Sequence, residues 1–355
     1  MTLPKTMNAV ILPSRGALAF ASKPVPQPGP EDLLLRVAGC GICGTDMKIR
    51  DHGLPGQPPF GSFTPGHEYA GTVVAVGETV DEFAIGDRVV VEAHKGCGRC
   101  ENCLRGMYTA CLNYGKSGKG HRCNGITSDG GLAEYAVNHV TTLYKIPDNV
   151  SFDEAIMIMT AGSPLYGLER AGGYIVGDTV VILGPGPVGL MGVQLCKAMG
   201  ATEVILTGTR EERLKLGKEL GADTVVDVRK ENPVAAVLRE TGGRGADLVI
   251  DCAGGDETLQ QCLEMVKRGG RILLVAYYNG PVTADISIAV RNNLNIYAER
   301  GEGGRSVGRA LALLAKGRIE AKSLITHIFP LDEAQRAYEV FEKRIGDPIK
   351  VIIRP

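Results

Sequence analysis

The chain has 355 residues, a net charge of −1 and 22% charged residues, a balance that offers nothing for nucleic acid or an anionic membrane to recognise. Its length exceeds one ordinary hydrophobic core and predicts two domains, and its 48 glycines suit an α/β protein with many tight turns. Four of its ten cysteines cluster at metal-binding spacing and the others are scattered in apolar context, which fits a reducing cytoplasm better than a disulfide framework.

The opening residues, Met1 to Ala9, lack the apolar stretch of a secretory leader, and the prolines at 24, 26, 28 and 30 exclude an early spanning helix. No later apolar run is long enough to cross a bilayer. From Met7 to about Asp148 short valine-rich runs, such as 33–37, 71–76 and 88–91, alternate with Gly and Pro. This pattern predicts a β-rich domain with twisted, partly closed sheets.

Within that domain Cys43-Gly44-Thr45-Asp46 sets a thiol, a hydroxyl and a carboxylate close together, and His67-Glu68 follows. An imidazole, a thiolate and a nearby carboxylate form a mixed donor set that suits Zn²⁺ with one position open, the arrangement of a catalytic rather than a structural metal. A lone histidine in a Gly-His-Glu turn would ordinarily be a satisfied turn residue; the neighbouring cysteines shift the balance.

Next comes Cys97-x-x-Cys100-x-x-Cys103-x7-Cys111. Four sulfurs this close in sequence reach the corners of a tetrahedron only if the chain wraps around one ion, and they leave no vacancy for water. That predicts a structural zinc lobe at about 94–115, with a disulfide pair or reactive thiols as the competing reading. Cys123 is expected to be a free thiol.

The pattern changes around Pro147. Ser151 and Glu154 form a capping box for a helix over 151–170, with an interruption expected near Gly162-Ser163-Pro164. Strands predicted at 179–183, 203–207, 224–226, 247–251, 271–276 and 294–297 alternate with amphipathic segments such as 211–220 and 258–266. Together these imply a doubly wound parallel six-stranded sheet. The first strand runs straight into Gly184-Pro185-Gly186-Pro187-Val188-Gly189. Gly184 permits the tight turn, Gly186 lets a pyrophosphate approach the backbone, and Gly189 lets the helix sit close to the sheet.

The second strand ends in Gly208-Thr209-Arg210, where an NAD-specific site would carry an acid for the adenosine ribose. With no carboxylate there, and with Arg210 and Arg213 at hand to pair with a 2′-phosphate, NADP is expected to be preferred over NAD, which is not excluded. In the tail, helices at 307–316 and 332–345 and a strand at 349–353 are expected to fold back onto the first domain. The domains are therefore 1–153 with 299–355, and 154–298.

These motifs, nearly end to end, resemble the zinc-containing medium-chain dehydrogenase/reductase family of alcohol, sorbitol and threonine dehydrogenases. The resemblance implies a GroES-like catalytic domain and a Rossmann domain with the active site between them, in a homodimer or homotetramer. It implies Cys43 and His67 as ligands of a catalytic zinc, Glu68 as a third or exchangeable ligand, and Asp46 on the far nitrogen of His67. It places Thr45 beside the substrate oxygen and Lys48 where relatives keep a relay histidine. Thr160 stands where many relatives have a zinc-binding cysteine. The implied reaction is reversible oxidation of a secondary alcohol, polyol or sugar to a ketone. Its rivals are a simple-alcohol or threonine-type dehydrogenase, a zinc-free quinone or enone reductase, and a non-catalytic cofactor-binding relative with a weakened zinc site.

Overall fold

The structure, a computed structural model, describes residues 3–355. The chain divides into two compact units: Met1–Met159 with Gly303–Ala315 and Ala321–Pro355, and Thr160–Glu302 with Lys316–Glu320. Residues 299–302 and Lys316–Glu320, expected with the first domain, go with the second unit, and residues 154–159, expected with the second, go with the first.

The first unit is built on a seven-stranded sheet. Its longest strand, β1 (Asp32–Ile42), is buried at nearly every position, as a strand covered on both faces must be. Along one edge β1 pairs with β2 (Glu68–Val76), which carries β3 (Arg88–Val91). The other edge is shared: β4 (Tyr135–His139) takes residues 32–36 and the last strand of the chain takes residues 40–42. Register shifts at Leu34/Leu35 and Val37/Gly39 bend β1 so that it serves both partners. β5 (Leu143–Lys145) closes the order beside β3. Leu33, Leu35, Val37, Ile42, Tyr69, Val73, Val89 and Val91 from these strands make one core. Helix α1 (Gly44–Asp51) leaves β1 after a single residue, Cys43, so the rigid centre of the sheet fixes where that sulfur sits.

Helix α2 (Phe152–Arg170) begins with the expected capping box: Ser151 N donates to Glu154 Oε2 at 3.1 Å and Glu154 N to Ser151 Oγ at 3.3 Å. The expected interruption is absent; α2 runs through Pro164. Pro164 forfeits one backbone donor, but Ala155 to Ile158, Ala161 and Leu168 are almost wholly buried, and that packing outweighs the lost bond.

The second unit holds six parallel strands: β6 (Thr179–Leu183), β7 (Glu203–Gly208), β8 (Thr224–Asp227), β9 (Ala246–Asp251), β10 (Val266–Leu274) and β11 (Asn295–Ala298). Helices α3 (Pro187–Ala198), α4 (Glu211–Glu219) and α5 (Thr258–Met265) lie among the crossovers. The spatial order β8-β7-β6-β9-β10-β11 reverses direction between β6 and β9, giving a doubly wound Rossmann sheet with its switch point there. Near-continuous burial along β6, β7 and β9 explains their unbroken apolar runs.

The chain then returns to the first unit with β12 (Ile325–Pro330), α6 (Ala334–Lys343) and β13 (Lys350–Arg354). β13 pairs parallel with β12 and antiparallel with the end of β1.

Candidate active site and metal centres

Cys43 is the N-cap of α1, and its Sγ accepts a hydrogen bond from Thr45 N at 3.2 Å. Asp46, only 1% exposed, accepts from Cys43 N through Oδ2 at 2.9 Å, completing a capping box. Its other oxygen, Oδ1, lies 3.3 Å from His67 Nδ1. One carboxylate thus caps the helix and lies against the imidazole. A carboxylate at that distance favours a proton on Nδ1, and Nε2 faces Cys43 Sγ, 3.4 Å away.

Burial opposes a charge on His67, yet Asp46 and Cys43 overcome it and raise the imidazole well above its ordinary range. The field that draws a proton to this point would draw a metal cation to it equally. A zinc ion with ordinary Zn–S and Zn–N bonds in tetrahedral geometry separates S from N by about 3.5 Å, so the pair fits one ion.

Glu68 completes the cluster: one donor atom from each of Cys43, His67 and Glu68 lies within 4.8 Å of the others. The structure adds a residue that the sequence reading missed. Lys350, from β13 and 1% exposed, forms an ion pair with Glu68 Oε2. Burial works against the ammonium, but Glu68 raises its pKa above the usual lysine value. A Glu68 that ligates zinc therefore does so while shared with Lys350. The available signal was a lysine inside the apolar run 349–353, but a lone charge in a strand is ordinarily placed on the solvent face. Room for the pair comes from Gly41, where a Cβ would lie 2.9 Å from Glu68 Oε2 and 3.3 Å from Lys350 Cδ.

Thr45 and Lys48 sit three residues apart on α1, on adjoining turns of one face, and both are partly buried. Thr160 is buried in the middle of α2.

The four cysteines converge as their spacing required: one sulfur from each of Cys97, Cys100, Cys103 and Cys111 lies within 4.8 Å of the rest. Cys97 Sγ is 4.0 Å from Cys103 Sγ, and Cys100 Sγ is 3.9 Å from Cys111 Sγ. A ZnS₄ tetrahedron sets its sulfurs about 3.8 Å apart, whereas a disulfide needs about 2 Å. All ten cysteines are unbridged. Asn113 steadies two sulfurs, its N donating to Cys111 Sγ and its Nδ2 to Cys97 Sγ, both at 3.3 Å. The side-chain bond from Asn113 brings Cys97 down to about 5, while burial pushes Cys103 up to about 12.

In the second unit, Gly184 has φ +97°, and a Cβ there would meet Ala253 at 3.0 Å; a Cβ on Gly189 would strike Gly184 O at 2.0 Å. Gly186 is the N-cap of α3 with open space beside it, and Pro187 occupies the first helical turn. The amides of Val188 and Gly189 therefore begin the helix beneath a turn with no side chain in the way of an anion. Gly208 ends β7, where a Cβ would sit 2.3 Å from Pro185 Cδ. An acidic side chain at this point is sterically excluded by the glycine turn itself. Thr209 is exposed, Arg210 is the N-cap of α4, and Arg213 lies three residues further on; both arginines are partly buried.

Residues 29–148 match the family described as "Alcohol dehydrogenase GroES-like domain" and residues 187–316 the family "Zinc-binding dehydrogenase". Sorbitol dehydrogenase of Bacillus subtilis (strain 168) is 30% identical over 359 residues, spanning 100% of this chain and 99% of that protein. L-threonine 3-dehydrogenase of Pyrococcus horikoshii is 34% identical over 338 residues, spanning 92% of each. A Sinorhizobium meliloti 1021 protein assigned as a zinc-binding dehydrogenase, with a crystal structure bound to NADP, superposes with a TM-score of 0.90 at 32% identity. The match covers 99% of this chain and 100% of that one. The chain belongs to the zinc-containing medium-chain dehydrogenase family. It is an NAD(P)-dependent oxidoreductase of small molecules, which sets aside the zinc-free reductase reading.

Proposed function

We propose that the enzyme interconverts a secondary alcohol and a ketone on a polyol, sugar or related hydroxylated small molecule, with NADP as the preferred dinucleotide. One observation carries the reading: a sulfur, an imidazole nitrogen and a carboxylate converge within 4.8 Å of one another, with Asp46 Oδ1 3.3 Å from the far nitrogen of the imidazole. Cys43, His67 and Glu68 would hold the catalytic zinc, and Cys97, Cys100, Cys103 and Cys111 a structural one. When bound, the catalytic metal supplies Lewis acidity toward a substrate oxygen, and the dinucleotide accepts a hydride from the alcohol carbon.

The chain's own residues do the rest. Asp46 keeps Nδ1 of His67 protonated and Nε2 available. The Thr45 hydroxyl takes the proton that an alcohol releases as it passes its own on toward water, and Lys48, on the next turn of α1, stands beside that path. Gly184, Gly186, Pro187, Val188 and Gly189 cradle the pyrophosphate. Gly208 and Thr209 leave the end of β7 without a carboxylate, and Arg210 and Arg213 follow within five residues as the groups that would meet a 2′-phosphate. The relative solved with NADP supports this preference, and the sorbitol dehydrogenases among the relatives favour a polyol. A threonine-type substrate is the second reading, favoured by the Pyrococcus relative.

A homodimer or homotetramer is supported by β11, an edge strand whose Ile296 is exposed, and by the exposed Ile286 and Val290 on the turn and helix before it. Unbridged cysteines favour the cytoplasm. Among the described residues no helix is long and apolar enough to cross a membrane.

The test is a panel of polyols, simple alcohols and threonine with each dinucleotide, read by nicotinamide absorbance, beside zinc analysis. Two zinc per chain and a higher kcat/KM with NADP on a polyol are expected. A higher kcat/KM with NAD would reverse the cofactor assignment. One zinc per chain without turnover would point to the non-catalytic relative.

A further inference from the structure

Asp251 closes β9, immediately beside the switch point of the six-stranded sheet, and is fully buried. Its carboxylate accepts four hydrogen bonds. Oδ1 takes Ala253 N at 2.8 Å and Gly254 N at 3.0 Å, while Oδ2 takes the hydroxyls of Thr258 and Tyr278, each at 2.6 Å. Its backbone oxygen accepts from Val275 N and Ala276 N, both at 3.0 Å. One residue thereby joins the loop after β9, the start of α5 and the loop after β10. Close packing completes the row: a Cβ on Gly184 would press on Ala253, and one on Gly254 would meet Tyr277 O at 2.8 Å. The pyrophosphate turn, the 252–255 loop and the 275–278 loop are stacked side by side along the carboxyl ends of β6, β9 and β10.

The topology gives this row a purpose. The pyrophosphate lies over the end of β6 and the adenosine half lies toward β7, where Arg210 and Arg213 stand. The other half of the dinucleotide must then run the opposite way, over the ends of β9 and β10. This step rests on the dinucleotide reading above. We propose that Asp251 and Tyr278 act as a positioning pair that fixes the 275–280 loop as the seat of the nicotinamide half.

Tyr278 is suited to a fixed donor role. Burial and then the Asp251 contact raise its phenol above the ordinary range, so the hydroxyl keeps its proton at neutral pH. Neither residue touches the reacting atoms in this account; both act through the loop backbone.

The experiment compares each reduced dinucleotide with the fragment that lacks nicotinamide: NADPH with 2′,5′-ADP, and NADH with ADP. Dissociation constants are measured by nucleotide fluorescence and calorimetry on the wild type, Tyr278→Phe, Asp251→Asn and the double variant. Tyr278→Phe is expected to weaken the preferred reduced dinucleotide about tenfold while changing its fragment less than about twofold. Adding it to Asp251→Asn should weaken binding no further. Equal losses for dinucleotide and fragment, an unchanged dinucleotide affinity, or additive losses in the double variant would each overturn the proposal. A wild-type protein that binds none of the four ligands would overturn the dinucleotide reading and this inference together.

Discussion

The two metal-suited clusters of the first unit are built on opposite plans. The four-cysteine lobe comes from one stretch of fifteen residues, Cys97 to Cys111, with little regular structure: a four-residue helix and a short 3-10 turn. Its sulfurs are held by one another's neighbourhood and by Asn113. The Cys43–His67–Glu68 cluster draws on the end of β1, the start of β2 and, through Lys350, on β13 at the far end of the chain. In the lobe a metal would organise the chain; in the second cluster the chain organises the site before any metal arrives. On the proposed function, the difference separates a fastening, which needs only closure, from a reaction site, which needs fixed directions.

The predictions test that contrast in descending order of effect. Cys43→Ala should reduce turnover by about 10³-fold or more and halve the zinc content, leaving the far-UV spectrum unchanged because the sheet holds the surrounding residues. Turnover at even a tenth of wild type would move the active site elsewhere. Lys350→Met removes the ammonium that is ion-paired with the buried Glu68 carboxylate and should cost roughly 3–5 kcal/mol in denaturant unfolding. Glu68→Gln added to it should recover part of that loss. If the single variant unfolds like wild type, the pair is not a stabilising element.

Asp46→Asn should weaken retention of the catalytic zinc about 10–100-fold in chelator competition, with the other zinc unaffected. Loss of both metals together would mean that the two clusters are not independent. Cys111→Ser should do the reverse, releasing the lobe zinc and lowering the thermal midpoint by a few degrees while activity measured well below that midpoint stays within about threefold. The smallest effect is expected from Arg210→Ala, which should raise KM for NADP about tenfold and leave KM for NAD nearly unchanged.

Much of the architecture was readable because its signals are local. Ser151 and Glu154 announced the start of α2 at the right residue. The Gly184–Gly189 turn follows its strand directly, and the four cysteines carry their geometry in their spacing. Pro164 shows the limit of such signals: a residue that ordinarily interrupts a helix is carried through one whose faces are buried. Gly208 shows another. Its sequence tells only that no acid is present, whereas the structure shows that Pro185 leaves no room for one.

The sequence alone determined the residue types, the donor sets and the alternation of strands with helices, since these depend on composition and on spacings of a few residues. Only the tertiary structure decided that Lys350 reaches Glu68 across 282 positions, or that Asp251 gathers Thr258 and Tyr278. The reason is physical. A buried charge is tolerable only beside its partner, and which partner lies beside it is set by how distant strands pair, not by the residues next to it in the chain.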